Sequence, residues 1–322
     1  MEQQMKHTVS STPHIRSNIT ISRIMLLVLI ALAPASITGV YFFGFWALLV
    51  IIVSVVSCVI FEALYQKITK QDITVNDYSA AVTGLLLALT LPGEVPLWMP
   101  VVGSFVAIVV AKQLFGGLGQ NFINPALAGR AFLVASYMPN MVGVYVNPED
   151  RGGFFYLDAV TSATPLEVGE PINHMALFLG NHAGTIGETS AIALIIGGLF
   201  LVFKKIITWH IPATFIVTVF VLTFFLEPGF GLAYPLFHIL AGGLMLGAFF
   251  MATDYSSSPI TPVGKLIMGF GCGFITVMIR LYGGYPEGVL FAILLMNLCV
   301  PLIDKFTKPR VFGTKKLWRK ES

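Results

Sequence analysis

The sequence predicts an all-α, polytopic membrane protein with about ten transmembrane helices in two five-helix halves, some of them short or broken. Three observations carry that prediction. Of 322 residues, 56% are hydrophobic and only 11% are charged, whereas an ordinary soluble domain has roughly 25% charged residues with which to cover its surface. The apolar residues are gathered into blocks of about 17 to 22, the length at which a helix crosses the hydrocarbon core of a bilayer. One long polar stretch, residues 139–187, divides those blocks five and five.

Residues 1–23 read as a polar N-terminal tail. Spans are predicted near 24–43, 45–65, 78–92, 96–115 and 125–138, which make residues 24–138 the first half. The second half, 188–304, holds spans near 188–203, 209–226, 232–251, 262–282 and 287–304, and residues 305–322 form a basic tail. Ala33-Pro34-Ala35 resembles a signal cleavage site behind Lys6, Arg16 and Arg23. The chain stays apolar beyond it and many spans follow, so this segment reads as a retained first helix. The third span ends at Leu91-Pro92-Gly93, the fifth begins at Asn124-Pro125, and Gly242-Gly243 interrupts the eighth. Such breaks are tolerated at membrane depth only against protein or a cavity.

Orientation follows from the basic residues. Lys67, Lys70, Lys112, Lys204, Lys205, Lys265 and the tail from Lys305 to Lys320 fall on one side, and only Arg151 and Arg280 on the other. The positive-inside rule then puts both termini in the cytoplasm and the 139–187 loop outside a cell (inner) membrane. The net charge of +3 is scattered, not arranged as a stripe with interleaved aromatics, and gives no reason to expect nucleic acid. Cys58, Cys272 and Cys299 each lie in an apolar block without metal-ligand spacing, so three buried thiols and no metal are expected.

The outer loop contains Asp158-Ala159-Val160-Thr161-Ser162-Ala163-Thr164-Pro165-Leu166-Glu167. Thr164 followed by Pro165 and Glu167 fits a helix start closed by a capping box. A helix start also presents free N–H groups to a phosphate, so the Thr164 hydroxyl is suited to carry a phosphate ester, and the two readings are compatible. Gly116, Gly117 and Gly119 would let backbone approach a flat ligand, with Asn121 and Asn124 offering amides to its edge. The alternative, that they only break and cap two helices, stays open. Arg130 lies inside a span and needs a partner or water. Asp254, Glu287 and Asp304 sit at span ends, where a carboxylate can bind Na⁺, relay H⁺ or merely face water. Glu188 reads as a helix N-terminal charge.

Asp158-x-x-Thr161-Ser162-Ala163-Thr164 resembles the signature at which bacterial flavin transferases attach FMN to the final threonine, with Ser162 where Gly is common. Gly116 to Leu133, Gly187-Glu188-Thr189-Ser190, Gly247 to Asp254, Tyr285-Pro286-Glu287-Gly288 and Pro301-Leu302-Ile303-Asp304 flank it in order. Together these motifs resemble the RnfD/NqrB family over residues 20–304, and the short N-terminus is more like RnfD. The resemblance implies a membrane component of a complex that moves electrons between ferredoxin and NAD and drives Na⁺ or H⁺ across the membrane. It also implies a covalent FMN phosphoester on Thr164, a noncovalent riboflavin at Asn121 and Asn124, a flavin transferase for maturation and further Rnf-type subunits as partners. Asp254, Glu287 and Asp304 resemble family acids linked to cation passage. The rival expectations are a stand-alone secondary transporter or channel without a redox role, which a layout of broken helices would suit, and a scaffold with vestigial flavin sites.

Overall fold

In the computed structural model, residues 19–142, 145–146, 161–162, 164–168, 174–227, 231–285 and 287–309 are described. Residues 1–18 and 310–322 of the terminal tails, and Asp158 and Ala163 of the outer loop, lie outside them. The first two predicted spans are one long helix, α1 (Ile21–Ile68), capped by the Thr20 side chain. Its 48 residues would extend about 72 Å at 1.5 Å per residue, more than twice the ~30 Å of a hydrocarbon core. The kink at Gly44 resolves this. Its φ of 66° and ψ of −152° are open only to glycine, and they divide α1 into two span-length arms.

Helix α2 (Ser79–Leu89) is too short to cross and is buried along nearly its whole length. Helix α3 (Trp98–Phe105) passes directly into a π-helical turn, Val106–Val110. Helix α4 (Pro125–Ser136) begins at Asn124, whose side chain accepts from the Ala126 and Leu127 N–H groups. The short α5 (Met138–Met141), α6 (Pro165–Val168) and α7 (His174–Leu179) lie in the connecting region. There β1 (Tyr145–Val146) and β2 (Thr161–Ser162) pair antiparallel, Tyr145 opposite Ser162.

The second half begins with α8 (Ala191–Phe203) and α9 (His210–Leu226). Helix α10 (Ala233–Leu240) breaks at Ala241-Gly242-Gly243 and resumes as α11 (Leu244–Leu246), which continues into a second π-helical turn, Gly247–Met251. The two parts meet at 65°. Helices α12 (Pro262–Tyr282) and α13 (Val289–Thr307) follow. A pattern thus recurs in each half: a half-helix, a break, a helix ending in a π turn, a polar loop, and a helix opening at Asn-Pro or Thr-Pro. π turns of this kind concentrate at functional sites.

Every predicted span coincides with a helical segment. Among the described residues four helices are long and apolar enough to cross a membrane alone, or five with the bent pair. The shorter ones are held by protein. A Cβ on Gly84 of α2 would lie 2.9 Å from the Ser54 carbonyl of α1, and one on Gly269 of α12 would lie 2.8 Å from the Ile211 carbonyl of α9. Only glycine permits such backbone contact. One thiol departs from expectation: Cys58 and Cys272 are buried, but Cys299 is exposed on α13. An apolar block in a membrane has a face turned to lipid as well as one turned to protein, and hydropathy alone does not separate them.

Candidate functional site

Of the cavities lined by described residues, one lies at the C-terminal end of α8 and another ahead of its N-terminus. The larger, about 730 Å³ and open, is lined by Met25 and Val28 of α1, Ser79 of α2, Lys112, Asn121, Asn124, Leu201 of α8, and Phe249, Phe250, Thr253, Asp254 and Tyr255 around the second π turn. Its lining, apolar side chains with a few polar groups among them, is that of a small-molecule pocket. Asn121 donates to the Ile123 carbonyl at 3.1 Å and to Asp254 at 3.4 Å, and accepts from Ser256 at 2.8 Å. Ser257 donates to Asp254 at 2.9 Å. Asn124, besides capping α4, donates to the Met251 carbonyl at 3.1 Å. These side chains tie the 111–124 loop of one half to the 251–257 loop of the other. Capping and cavity lining coexist here, so the structural alternative holds for Asn124 without removing it from the cavity wall.

Beneath this wall is an ion pair the sequence reading missed. Lys112, read as a topology signal, is 1% exposed, and its Nζ donates to both carboxylate oxygens of Glu62 at 2.9 Å and to Ser79 Oγ at 2.6 Å. Gln113 donates to the same carboxylate at 2.8 Å. The readable signal was Glu62 itself, an acid inside a predicted span, where an unpaired charge is expensive.

The second cavity, about 220 Å³, is lined by Thr164, Pro165, Leu166, His182 to Gly184, Glu188, Gly242 and Glu287. The β1–β2 pairing holds Thr161 and Ser162 against Tyr145 and Val146, and Thr164, 5% exposed, immediately precedes α6. That helix is a single turn of four residues, so its dipole is small and charge in the cavity must come from side chains. Glu188 and Glu287 line it, and Arg130, on the wall of a neighbouring cavity of about 350 Å³, pairs with both. The guanidinium donates to Glu188 at 3.1 Å and is paired with Glu287. Glu188 is therefore no mere helix-end charge: it sits before the Ser190 cap of α8, buried, as the partner that Arg130 required. Arg280 of α12 donates to the His238 and Ala241 carbonyls and so caps α10 at its break. A Cβ on Gly242 would meet both Leu166 and Arg280, so glycine lets these two side chains pack against the break.

The three predicted acids are not gathered at one place. Asp254 faces Asn121 at the larger cavity, and Glu287 binds Arg130 at the smaller. Asp304, half-buried near the end of α13, accepts from the Ile260 N–H at 3.1 Å. Among the described residues no group of three or more His, Cys, Asp or Glu is arranged to hold a metal ion.

The sequence profile of the NQR2, RnfD, RnfE family matches residues 8–313. The chain belongs to that family. Within it, the chain is 49% identical to the D subunit of the Na(+)-translocating ferredoxin:NAD(+) oxidoreductase complex of Acetobacterium woodii, with 98% of each chain covered. It is 46% identical to the D subunit of the proton-translocating ferredoxin:NAD(+) oxidoreductase complex of Clostridium ljungdahlii, over 96% of this chain and 97% of that one. It is 38% identical to the D subunit of the ion-translocating oxidoreductase complex of Salmonella arizonae, over 97% of this chain and all of that one. Family membership fits an all-helical membrane fold, and the similarity runs through both halves and both cavities.

Proposed function

We propose that the chain is the membrane flavoprotein of an Rnf-type complex, its D subunit, carrying electrons between ferredoxin and NAD⁺ while the complex moves Na⁺ or H⁺. Supporting this is near-half identity over the full length to two proteins named as that component. One of them is named for Na⁺ and the other for protons at similar identity, so overall similarity does not choose the ion.

In this reading FMN is held on Thr164 by a phosphodiester, and riboflavin occupies the larger cavity. A bound flavin supplies the one- and two-electron chemistry, while the protein supplies position and electrostatics. The Asp158-to-Thr164 signature carries the assignment. A phosphate at Thr164 would be held by His182 on the cavity wall and by Arg280, which reaches Gly242, with Arg130 neutralising the lining acids Glu188 and Glu287. In the larger cavity the apolar side chains, with Asn121 and Asn124, would hold the flat ring. Both termini are cytoplasmic in this arrangement, and Thr164 faces outward.

Thr164→Val keeps the shape and removes the hydroxyl. After co-expression with a flavin transferase, the denatured wild-type chain should fluoresce on a gel and the variant should be dark. Its insertion should be kept, since even the loss of a helix cap would cost only about 1 kcal/mol. Covalent flavin in the variant, or no FMN adduct on the wild-type peptide by mass spectrometry, would defeat the electron-carrier reading. The 65° break between α10 and α11 also suits a plain transporter. A dark wild-type chain would favour that.

Asn121→Leu leaves the Asn124 cap intact. It should release noncovalent riboflavin on purification while covalent FMN stays, as measured by flavin extraction with and without acid precipitation. Unchanged riboflavin content would remove Asn121 from the binding wall.

A further inference from the structure

His182 lines the Thr164 cavity and stands between two carbonyl oxygens. Its Nδ1 is 2.9 Å from the Ala183 oxygen and its Nε2 3.1 Å from the Thr189 oxygen, and the residue is 6% exposed. Carbonyl oxygens only accept. A neutral imidazole has one N–H, so in either tautomer one ring nitrogen turns a lone pair toward a carbonyl lone pair. The imidazolium alone donates to both. Burial opposes that state and outweighs the two carbonyls, holding the ring's pKa below its ordinary value. The geometry around the ring is thus set for a charge that the cavity by itself disfavours.

An anion beside the ring would reverse the balance. The charged groups around the cavity are Glu188 ahead of α8, Glu287 ahead of α13, Arg130 of α4, paired with both, and Arg280 of α12, which reaches Gly242. With both carboxylates ionised, the two guanidinium groups and the two carboxylates cancel, and Glu188, buried beside Glu287, is the rival site for a proton. A phosphodiester adds a single negative charge that this set leaves unbalanced, and an unbalanced charge away from water is costly. Among the described residues lining the cavity, His182 is the one further titratable group.

We propose that His182 is the counter-cation of this cavity: a phosphodiester on Thr164 draws one proton from solvent onto the imidazole, which then donates to Ala183 and Thr189 together. The proton comes from water, and no other bond changes. The 180–190 turn is thereby fastened around the phosphate. This rests on Thr164 being the flavin acceptor, and adds to it that occupancy of the site and the charge of His182 are coupled.

The test is ³¹P NMR of the purified flavinylated protein across about pH 5 to 8, the range in which histidine changes charge. A phosphodiester does not titrate there, so its resonance moves only with a neighbour. The wild-type resonance should shift in one step. In His182→Gln, whose amide still donates to one carbonyl, the diester resonance should be present and flat. A flat wild-type resonance would overturn the proposal. So would a step that survives unchanged in His182→Gln, because it would belong to Glu188 or Glu287. Absence of any diester resonance in the wild type would instead remove the Thr164 reading, and this inference with it.

Discussion

Arg130→Met should lower the stability of the protein by about 3 to 5 kcal/mol. The guanidinium is buried and holds two carboxylates, Glu188 and Glu287, that come from segments preceding different helices. Methionine fills much of the same volume, so the loss measures charge and not shape. It leaves two acids facing one another with no cation between them, and one must take up a proton to stay buried. Thermal unfolding in detergent, followed by far-ultraviolet circular dichroism, should show a large fall in midpoint. Adding Glu188→Gln to Arg130→Met should recover much of it, because the amide can donate to Glu287. An unchanged midpoint in Arg130→Met would show that the cluster is not what holds α4, α8 and α13 together.

A comparable loss is expected for Lys112→Met, which strands Glu62 inside α1. Here the rescue is sharper. Glu62→Gln with Lys112→Met removes both charges, and Gln113 can still donate to the new side-chain oxygen. Replacing a whole buried pair by neutral groups is often neutral or stabilising by about 1 to 4 kcal/mol. The double variant should therefore melt at or above the wild-type midpoint while the single one melts well below it. A double variant as damaged as the single would mean that Lys112 acts through packing of its stem. The pair borders the larger cavity, so flavin retention in the stable double variant also separates a structural role from a binding one.

The sequence was most legible where the signal is local. Residues 262–282 were predicted as a span and are α12 to the residue, because Thr261-Pro262 opens the run and Gly283-Gly284 closes it. The third span was read as 78–92 but is helical only from Ser79 to Leu89. Leu91 and Pro92 are as apolar as a helix needs, yet they leave it to pair with Thr185 and Ile186, almost a hundred residues away. Periodicity cannot register such a contact. For the same reason the Lys112–Glu62 and Arg130–Glu188–Glu287 pairings escaped sequence reading, although each charge inside a span demanded some partner. Thr164 was legible as a motif. The two carbonyls around His182 depend on how the chain turns between residues 180 and 190, and nothing in the order of residues announces them.

The glycine contacts between helices constrain how this protein can move. Where α2 meets α1 at Gly84, and α12 meets α9 at Gly269, the backbones are so close that sliding one helix along the other would drive side chains into main-chain carbonyls. Shear between these pairs is sterically blocked, so each travels as a rigid body. Angular displacement is left to positions whose dihedrals already stand outside the helical well, chiefly Gly44 in α1 and Gly242 in the α10–α11 break, with φ of 66° and 69°. Gly242 lies at the Thr164 cavity, beside Arg280 and Leu166. A change of charge in that cavity would therefore act on a pivot, and the response to be sought is rotation of α10 against α11, not translation of the bundle.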